Sequence, residues 1–566
     1  MTKDLGRANR ILTTALSFVL GCAVAFGLGA FFLPSGDKCH GTDLEVWSST
    51  EPGLARADTT AGFGQLQEAA KTYGCIRVVP LSSGFAQQRI AASLESGGAD
   101  QPDVWLPTHS FWNSLLDRDD RYDDSLGSFT TSKMRLYVKF GTPLASALSG
   151  SGSVAWRDLA TRASAGQLDL VKENALNSTS GAMATILAFE AAAGGDSGIS
   201  ADDVRAGKLD TYAAPLERSV ASYPGEIVEF LSSFKPPIDT AALPNAMIVE
   251  EAVYEGFPGL TQHYRGVELA GPNPTLDHPF LKRPELDKNK ADLADAFHKT
   301  LMTSTWQDRL DKAGFESTDD HALTRRDGAV VEAILERWRE TLRKRISLAI
   351  TLDQSGSTEP HKRQLAGAMT AALRSLSATD RVAFYGFPGA AGAVYEPLSG
   401  GFADPTQLTV PNVPNRGGSS PVIESVRETA DLVRDQVGAN ADNPRKQAVI
   451  VFTDGEQAGA GSTREQQRDT ERIRSYRDAG VQVFFVLVGQ KPLCAIDRIY
   501  STLPSDCRNS GNRPAKLDQD ERRWVYCIAD RPDCPTPLPS QQGKSDEEHI
   551  RAIVKQIFDQ LGGAPI

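Results

Sequence analysis

ITLDQSGSTEP, residues 350–360, closes an apolar run with one acid and two hydroxyls at alternate positions, Asp353, Ser355 and Ser357. Such residues do not fill a core. They are hard oxygen donors crowded into the loop that follows a strand. Outward from it the pattern alternates. RISLAITLD reads as a strand, residues 358–377 as a helix and RVAFYGF as a strand. SPVIESVRETADLVRDQV reads as a helix, QAVIVFTDGE as a strand, REQQRDTERIRSYRDAG as a helix and VQVFFVLVG as a strand. SDEEHIRAIVKQIFDQLG closes as a helix, with Ser545 and Glu548 at capping-box spacing. Strands that are apolar almost throughout imply a parallel sheet covered on both faces, and ligands of such sheets sit beyond the carboxyl ends of the strands.

At that edge a second acid, Asp454, ends the strand VFTDGE, and RGGSSPVIESV places Ser419 and Ser420 at a helix start. Two carboxylates and three hydroxyls converging from three loops suit a small hard cation such as Mg2+. The plainer alternative is that both acids only cap their loops. Residues 344–563 resemble a von Willebrand factor type A domain with a metal-ion-dependent adhesion site. Asp353, Ser355 and Ser357 match the family's Asp-x-Ser-x-Ser motif, and Asp454 its later Asp. The family usually has a Thr after a Gly-rich turn. Here GGSS stands there; counted against Val422 and Val426, Ser420 takes the Thr place and Ser419 is the alternative. The resemblance implies that Mg2+, or another divalent ion such as Mn2+, is held by these residues and completed by an acidic oxygen from a protein or peptide partner.

The chain has 566 residues, a length typical of several domains. Its formal net charge of −12 argues against a nucleic-acid binder. Residues 11–33 carry no charge and are long enough to cross a bilayer. Lys3, Arg7 and Arg10 precede them, so residues 1–10 are expected in the cytoplasm and residues 34–566 outside it, on a single-pass anchor. VLGC, ending at Cys22, also looks like a lipoprotein cleavage box, and that alternative stays open. Beyond the segment lie Cys39, Cys75, Cys494, Cys507, Cys527 and Cys534, an even number that fits disulfides in an exported protein. Cys39 is expected to pair with Cys75, and the late four among themselves.

From Leu44 the order is LEVWSST, a strand ending in hydroxyls; FGQLQEAAKTYG, a helix; IRVVPLSSG, a strand; FAQQRIAASLESGG, a helix; and DVWLPTHS, a strand. This is a further parallel sheet, whose carboxyl edge carries Ser48, Ser49, Ser82, Ser83, Thr108 and His109. A second lobe follows. NSTSG opens an Ala-rich helix with Asn177, Ser178, Thr179 and Ser180 at its N-terminus, a place that favours anions, although Ser and Thr are also ordinary helix caps. Residues 40–320 resemble a two-lobed, type II-like periplasmic solute-binding domain. The likeness rests on LEVWSST, QPDVWLPTHSFW, VAWRDLA, NSTSGA, ALPNAMIVEEAVYEG, GPNPTLDHPFL and KADLADAFHKTLMTSTWQDRLDKAGF. It implies a cleft that closes by a hinge on a small-molecule solute, with Ser48, Ser49, Ser82, Ser83, Thr108, Ser178, Thr179 and Ser180 as ligand-binding residues. GDSG at residues 195–198 reads as a turn between helices, and His278 as structural. Residues 327–343 form an amphipathic linker helix with Val330, Ile334, Leu335, Trp338 and Leu342 on one face.

The whole is an α/β protein: a transmembrane helix, a two-lobed solute-binding-like domain, then a doubly wound type A domain. The combination resembles a bacterial, actinobacterial-type family of membrane proteins with substrate-binding and von Willebrand type A regions. The expected function is metal-dependent binding of an acidic partner at the cell surface. The alternative is an anchored solute receptor for an ABC-type transporter, with the type A domain as an assembly module. No nucleophile–base pair points to an enzyme.

Overall fold

Runs rich in Val, Ile, Leu and aromatics form three sheets. The computed structural model describes residues 42–561 apart from 52–53, 55–63, 96–99, 196–197, 225–226, 233, 235–237, 239, 241–242, 318–321, 375, 389–393, 418–420, 437–445, 454–467, 469–470, 472–480, 488–524, 529–553, 555–556 and 559–560. The expected membrane segment and Cys39 therefore lie outside the described residues, within which no helix is long and apolar enough to cross a membrane.

Leu44–Ser48 (β1), Ile76–Pro80 (β2) and Val104–Leu106 (β3) lie parallel, with β1 in the middle. The chain then crosses to a second sheet built from Ser132–Lys139 (β4), Ser153–Ala155 (β5), Leu170–Val171 (β6), Val220–Ser222 (β7), Ala246–Glu250 (β8), Tyr264–Ala270 (β9) and Thr275–Leu276 (β10). Its order is β5-β9-β4-β8-β6-β7, with β10 on β4. The central strand β8, AMIVE, is buried at every position, whereas β9 alternates buried and exposed residues as a half-covered strand does. The second sheet is mixed rather than parallel, because β4 runs antiparallel to both β8 and β9. Leu281–Lys282 (β11) returns antiparallel to β3 and completes the first sheet as β11-β3-β1-β2.

The outgoing and returning crossings run side by side. Phe280 N donates to Gly127 O at 2.9 Å, and Asp123 N to Lys282 O at 2.8 Å. A third passage joins them where Thr131 and Glu316 exchange backbone bonds. Three short segments, paired by these backbone bonds, connect the lobes, as a hinge requires. Cys75, just before β2, is disulfide-bonded.

The linker helix Gly328–Arg337, prolonged by Trp338–Leu342, packs chiefly on helices of the second lobe. Val331, Ile334 and Trp338 are buried there, while Val330 is only half-buried. At its start Gly328 sits against Ser114 of the first lobe so closely that a Cβ would lie 2.1 Å from the Ser114 carbonyl oxygen.

The last sheet comprises Ile346–Asp353 (β12), Arg381–Phe387 (β13), Glu396–Pro397 (β14), Lys446–Thr453 (β15), Val481–Leu487 (β16) and Val525–Ile528 (β17), in the order β14-β13-β12-β15-β16-β17. The four central strands are parallel, and both edge strands are antiparallel, which the sequence pattern did not show. The edge strand β17 contains Cys527. One face is covered by Leu365, Met369 and Leu373 with Ile557 and Phe558; the other by Ile423, Val426 and Val433.

The junction of the modules is polar and buried. Arg343 pairs with Asp380 at 2.6 Å, both almost fully covered. Asp380 also accepts Ile346 N at 2.8 Å and Ser377 N at 2.9 Å, tying the linker to the starts of β12 and β13. Nearby, Lys446 Nζ lies 4.6 Å from the ring centre of Tyr223, a residue of the second lobe. Asp380→Ala leaves Arg343 buried without its counter-charge and should cost about 3–5 kcal/mol. Urea titration with hydrogen exchange read on β12 peptides checks this; unchanged protection would contradict it.

Candidate functional site

The carboxyl ends of β1, β2, β3 and β8 face the N-terminus of the helix Thr179–Ala193 across a narrow interlobe cleft of about 20 Å3, room for about one water. Seven of the eight expected ligand residues line it: Ser49, Ser82, Ser83, Thr108, Ser178, Thr179 and Ser180. Ser48 does not; it is buried beneath the edge, and its hydroxyl meets no hydrogen-bond partner. His109 is likewise buried away from the cleft, in contact with Arg326, which pairs with Glu190. Burial, then the Arg326 charge, hold His109 well below its ordinary pKa.

The sequence reading missed the carboxylates. Glu51, Glu173 and Glu250 line the same cleft. Glu51 accepts the Thr108 hydroxyl, and Thr108 N in turn donates to Ser83 Oγ at 3.0 Å. Glu250 accepts the Ser132 hydroxyl and contacts His278 Nε2 at 3.0 Å. Burial opposes a charge on His278, but the surrounding carboxylates, Glu250 first and then Glu51 and Asp277, together hold the imidazole above its usual pKa. His278 thus joins the hinge to the floor of the cleft. Burial, reinforced by Glu250, pushes the Glu51 carboxyl up to about 7.

The anion-friendly helix N-terminus expected at Ser178–Ser180 is already taken. The hydroxyls of Ser178 and Ser180 both donate to Glu173 Oε2, and Ile227 N donates to Glu173 Oε1 at 2.7 Å. The chain supplies its own anion at that helix end. Glu250 ends the apolar run AMIVE, which is the signal that singled out Asp353. Glu51 and Glu173 sit in loops and carry no such mark.

The lobes touch. Gly84 N donates to Asn177 O at 2.9 Å, Gln88 Nε2 to Leu176 O at 3.0 Å, and Trp112 Nε1 to Thr179 Oγ1 at 2.8 Å. Thr179 therefore latches the lobes through its hydroxyl.

In the last domain, Asp353 and Ser355 are buried at the end of β12. Asp353 Oδ1 accepts Ser355 N at 2.9 Å, and Oδ2 accepts Thr453 Oγ1 at 2.8 Å. Thr453 ends β15 and immediately precedes Asp454. Asp454, Ser419, Ser420 and the side chain of Ser357 lie outside the described residues. Among the described residues no group of three or more His, Cys, Asp or Glu side chains is placed to hold a metal. The two described donors, a carboxylate and a hydroxyl at one strand end, fit part of a hard-cation site.

No protein-family model matches the sequence, and no curated protein does. Among solved structures the chain is similar to the periplasmic binding protein AfuA from Actinobacillus pleuropneumoniae, at 13% identity over 52% of this chain and 97% of that one, with a TM-score of 0.37. It is similar to the sulfate-binding protein SubI from Mycobacterium tuberculosis H37Rv, at 14% identity over 51% and 90%, with a TM-score of 0.33. It is also similar to the pilus adhesin SpaC from Lactobacillus rhamnosus GG, at 14% identity over 26% and 24%, with a TM-score of 0.21. These likenesses are distant, and the functional reading rests on the cleft's own residues.

At Gly84 a Cβ would lie 2.2 Å from Leu176 O, a backbone atom of the opposite lobe. Gly84→Ala should hold the lobes apart without disturbing either core. Small-angle scattering should show a larger radius of gyration than the parent's; an unchanged value would contradict closure at this point.

Proposed function

We propose that the first module is an extracytoplasmic solute receptor. One observation carries this: hydroxyls and carboxylates from both lobes face one another in a single cleft whose walls are joined by a three-segment backbone hinge. A binding protein needs both features, because the energy of closure must come from contacts that the solute makes with each wall. The disulfide at Cys75 supports an oxidising compartment, and the uncharged segment 11–33 supports attachment to the membrane. A transporter of the ABC type is the natural recipient of the solute, with the last domain as its assembly module.

Thermal unfolding of the full chain in detergent, screened against a broad small-molecule panel, tests the reading. A solute at roughly a hundredfold excess over its Kd adds about 2.7 kcal/mol and should raise Tm visibly. Ser82 is half-buried on the cleft wall, so Ser82→Trp should block the site and abolish the shift. A shift that survives Ser82→Trp would overturn the assignment.

A second reading belongs to the last domain: metal-dependent binding of an acidic partner. The observation in its favour is the Thr453 hydroxyl on Asp353, a bond between β15 and β12 immediately beside Asp454. Asp353 and Ser355, with Ser357, Asp454 and Ser420 or Ser419, would hold Mg2+ or Mn2+, and the ion would accept a carboxylate from the partner. Calorimetric titration of the full chain with Mg2+ should show saturable binding that Asp353→Ala removes. Equal binding by both proteins would exclude the site.

A further inference from the structure

The cleft's charges go further than its shape and identify the class of solute. Among the described residues no Lys or Arg lines it, while three glutamates do. His278, close by, is engaged by Glu250. Glu173 is satisfied by hydroxyls and a backbone N–H of its own lobe. Glu51 is different. It is 8% exposed; the Thr108 hydroxyl donates to its Oε1, the Ser49 hydroxyl lies beside the carboxylate on the same wall, and Oε2 meets no close donor. A buried carboxylate oxygen left open towards a cleft needs a donor or a positive charge. An entering anion would face Glu51 and Glu250, with His278 already engaged by Glu250, and the helix end that would welcome it already holds Glu173.

We propose that the solute, admitted when the lobes part, is a small organic ammonium compound, its N–H donors taken by Glu51 and Glu250 and its polar remainder held by Ser49 and Ser82. This rests on the solute-receptor reading. Ammonium fits better than a bare metal ion, because among the described residues no set of side chains is placed to hold one, whereas an N–H donor needs only the open oxygens. Glu51 faces Glu250 and His278, with Asp277 beside the imidazole and Glu173 across the cleft. Its pKa of about 7 gives the binding a pH dependence of definite sign. Below that value Glu51 is protonated and its attraction for a cation is lost; above it the carboxylate is present. Affinity therefore rises with pH.

Calorimetry on the full chain tests this with five probes: ethanolamine, putrescine, ethylene glycol, acetate and sulfate. At least one amine should bind at pH 8, and its Kd should be about tenfold weaker at pH 6, one unit either side of the Glu51 value. Ethylene glycol, acetate and sulfate should not bind. Glu51→Gln keeps the shape, removes a buried charge and should fold as the parent does, yet weaken amine binding at pH 8 about tenfold and flatten its pH dependence. Amine binding unchanged in Glu51→Gln would overturn the proposal. Sulfate, acetate or ethylene glycol binding that is lost in Ser82→Trp would overturn it while leaving the receptor reading intact. Failure of all five probes would overturn it too, and the broad panel then decides separately whether the cleft takes any solute.

Discussion

A carboxylate taken out of water must be met by donors or by positive charge, and the lobes, hinge and cleft are arranged around that requirement. Glu250 ends the buried strand β8 and is met from two sides, by Ser132 at the start of β4 and by His278 in the returning hinge strand. Asp277, beside His278, accepts both the backbone N–H and the hydroxyl of Ser110 in the first lobe. One pair of adjacent hinge residues thus reaches into both lobes through acids. His278 also has a positive φ of 29°, a backbone state uncommon for a residue with a side chain. The bonds of Asp277 and His278 hold that turn in place.

The same requirement shapes the last domain differently. Asp380 is satisfied entirely by the protein, by Arg343 and two backbone N–H groups, and so serves to fix the linker to the sheet. The linker helix is itself part of the second lobe's core. The linker thus ties that lobe to the base of β12, whose opposite end carries Asp353. The eight residues of β12 are buried at every position.

Much of this was legible in the sequence because apolar strands and helical periodicity are local signals. The strand cores LEVWS, IRVVP and ISLAITLD lie in sheets, and the hydroxyls after the first-lobe strands meet at one cleft. What was not legible depends on distance in the chain. Glu51 and Glu173 sit in loops, more than a hundred residues apart in sequence, and only the closed lobes bring them to one space. Glu173 reverses the expected character of the Ser178–Ser180 helix start, since helix capping and anion binding look alike until the anion's source is seen. The linker's amphipathic face was visible, but periodicity does not say which surface receives it. The antiparallel edges β14 and β17 are two and four residues long, too short to stand out from loop sequence.

The central claim is that the interlobe cleft closes on a positively charged solute. Native mass spectrometry of the full chain, purified without denaturation from cells that make it, tests this most directly. The account predicts a one-to-one complex with a small amine that is released at acid pH, where Glu51 is protonated. A bound acid, sulfate or phosphate ester in the same stoichiometry would contradict it.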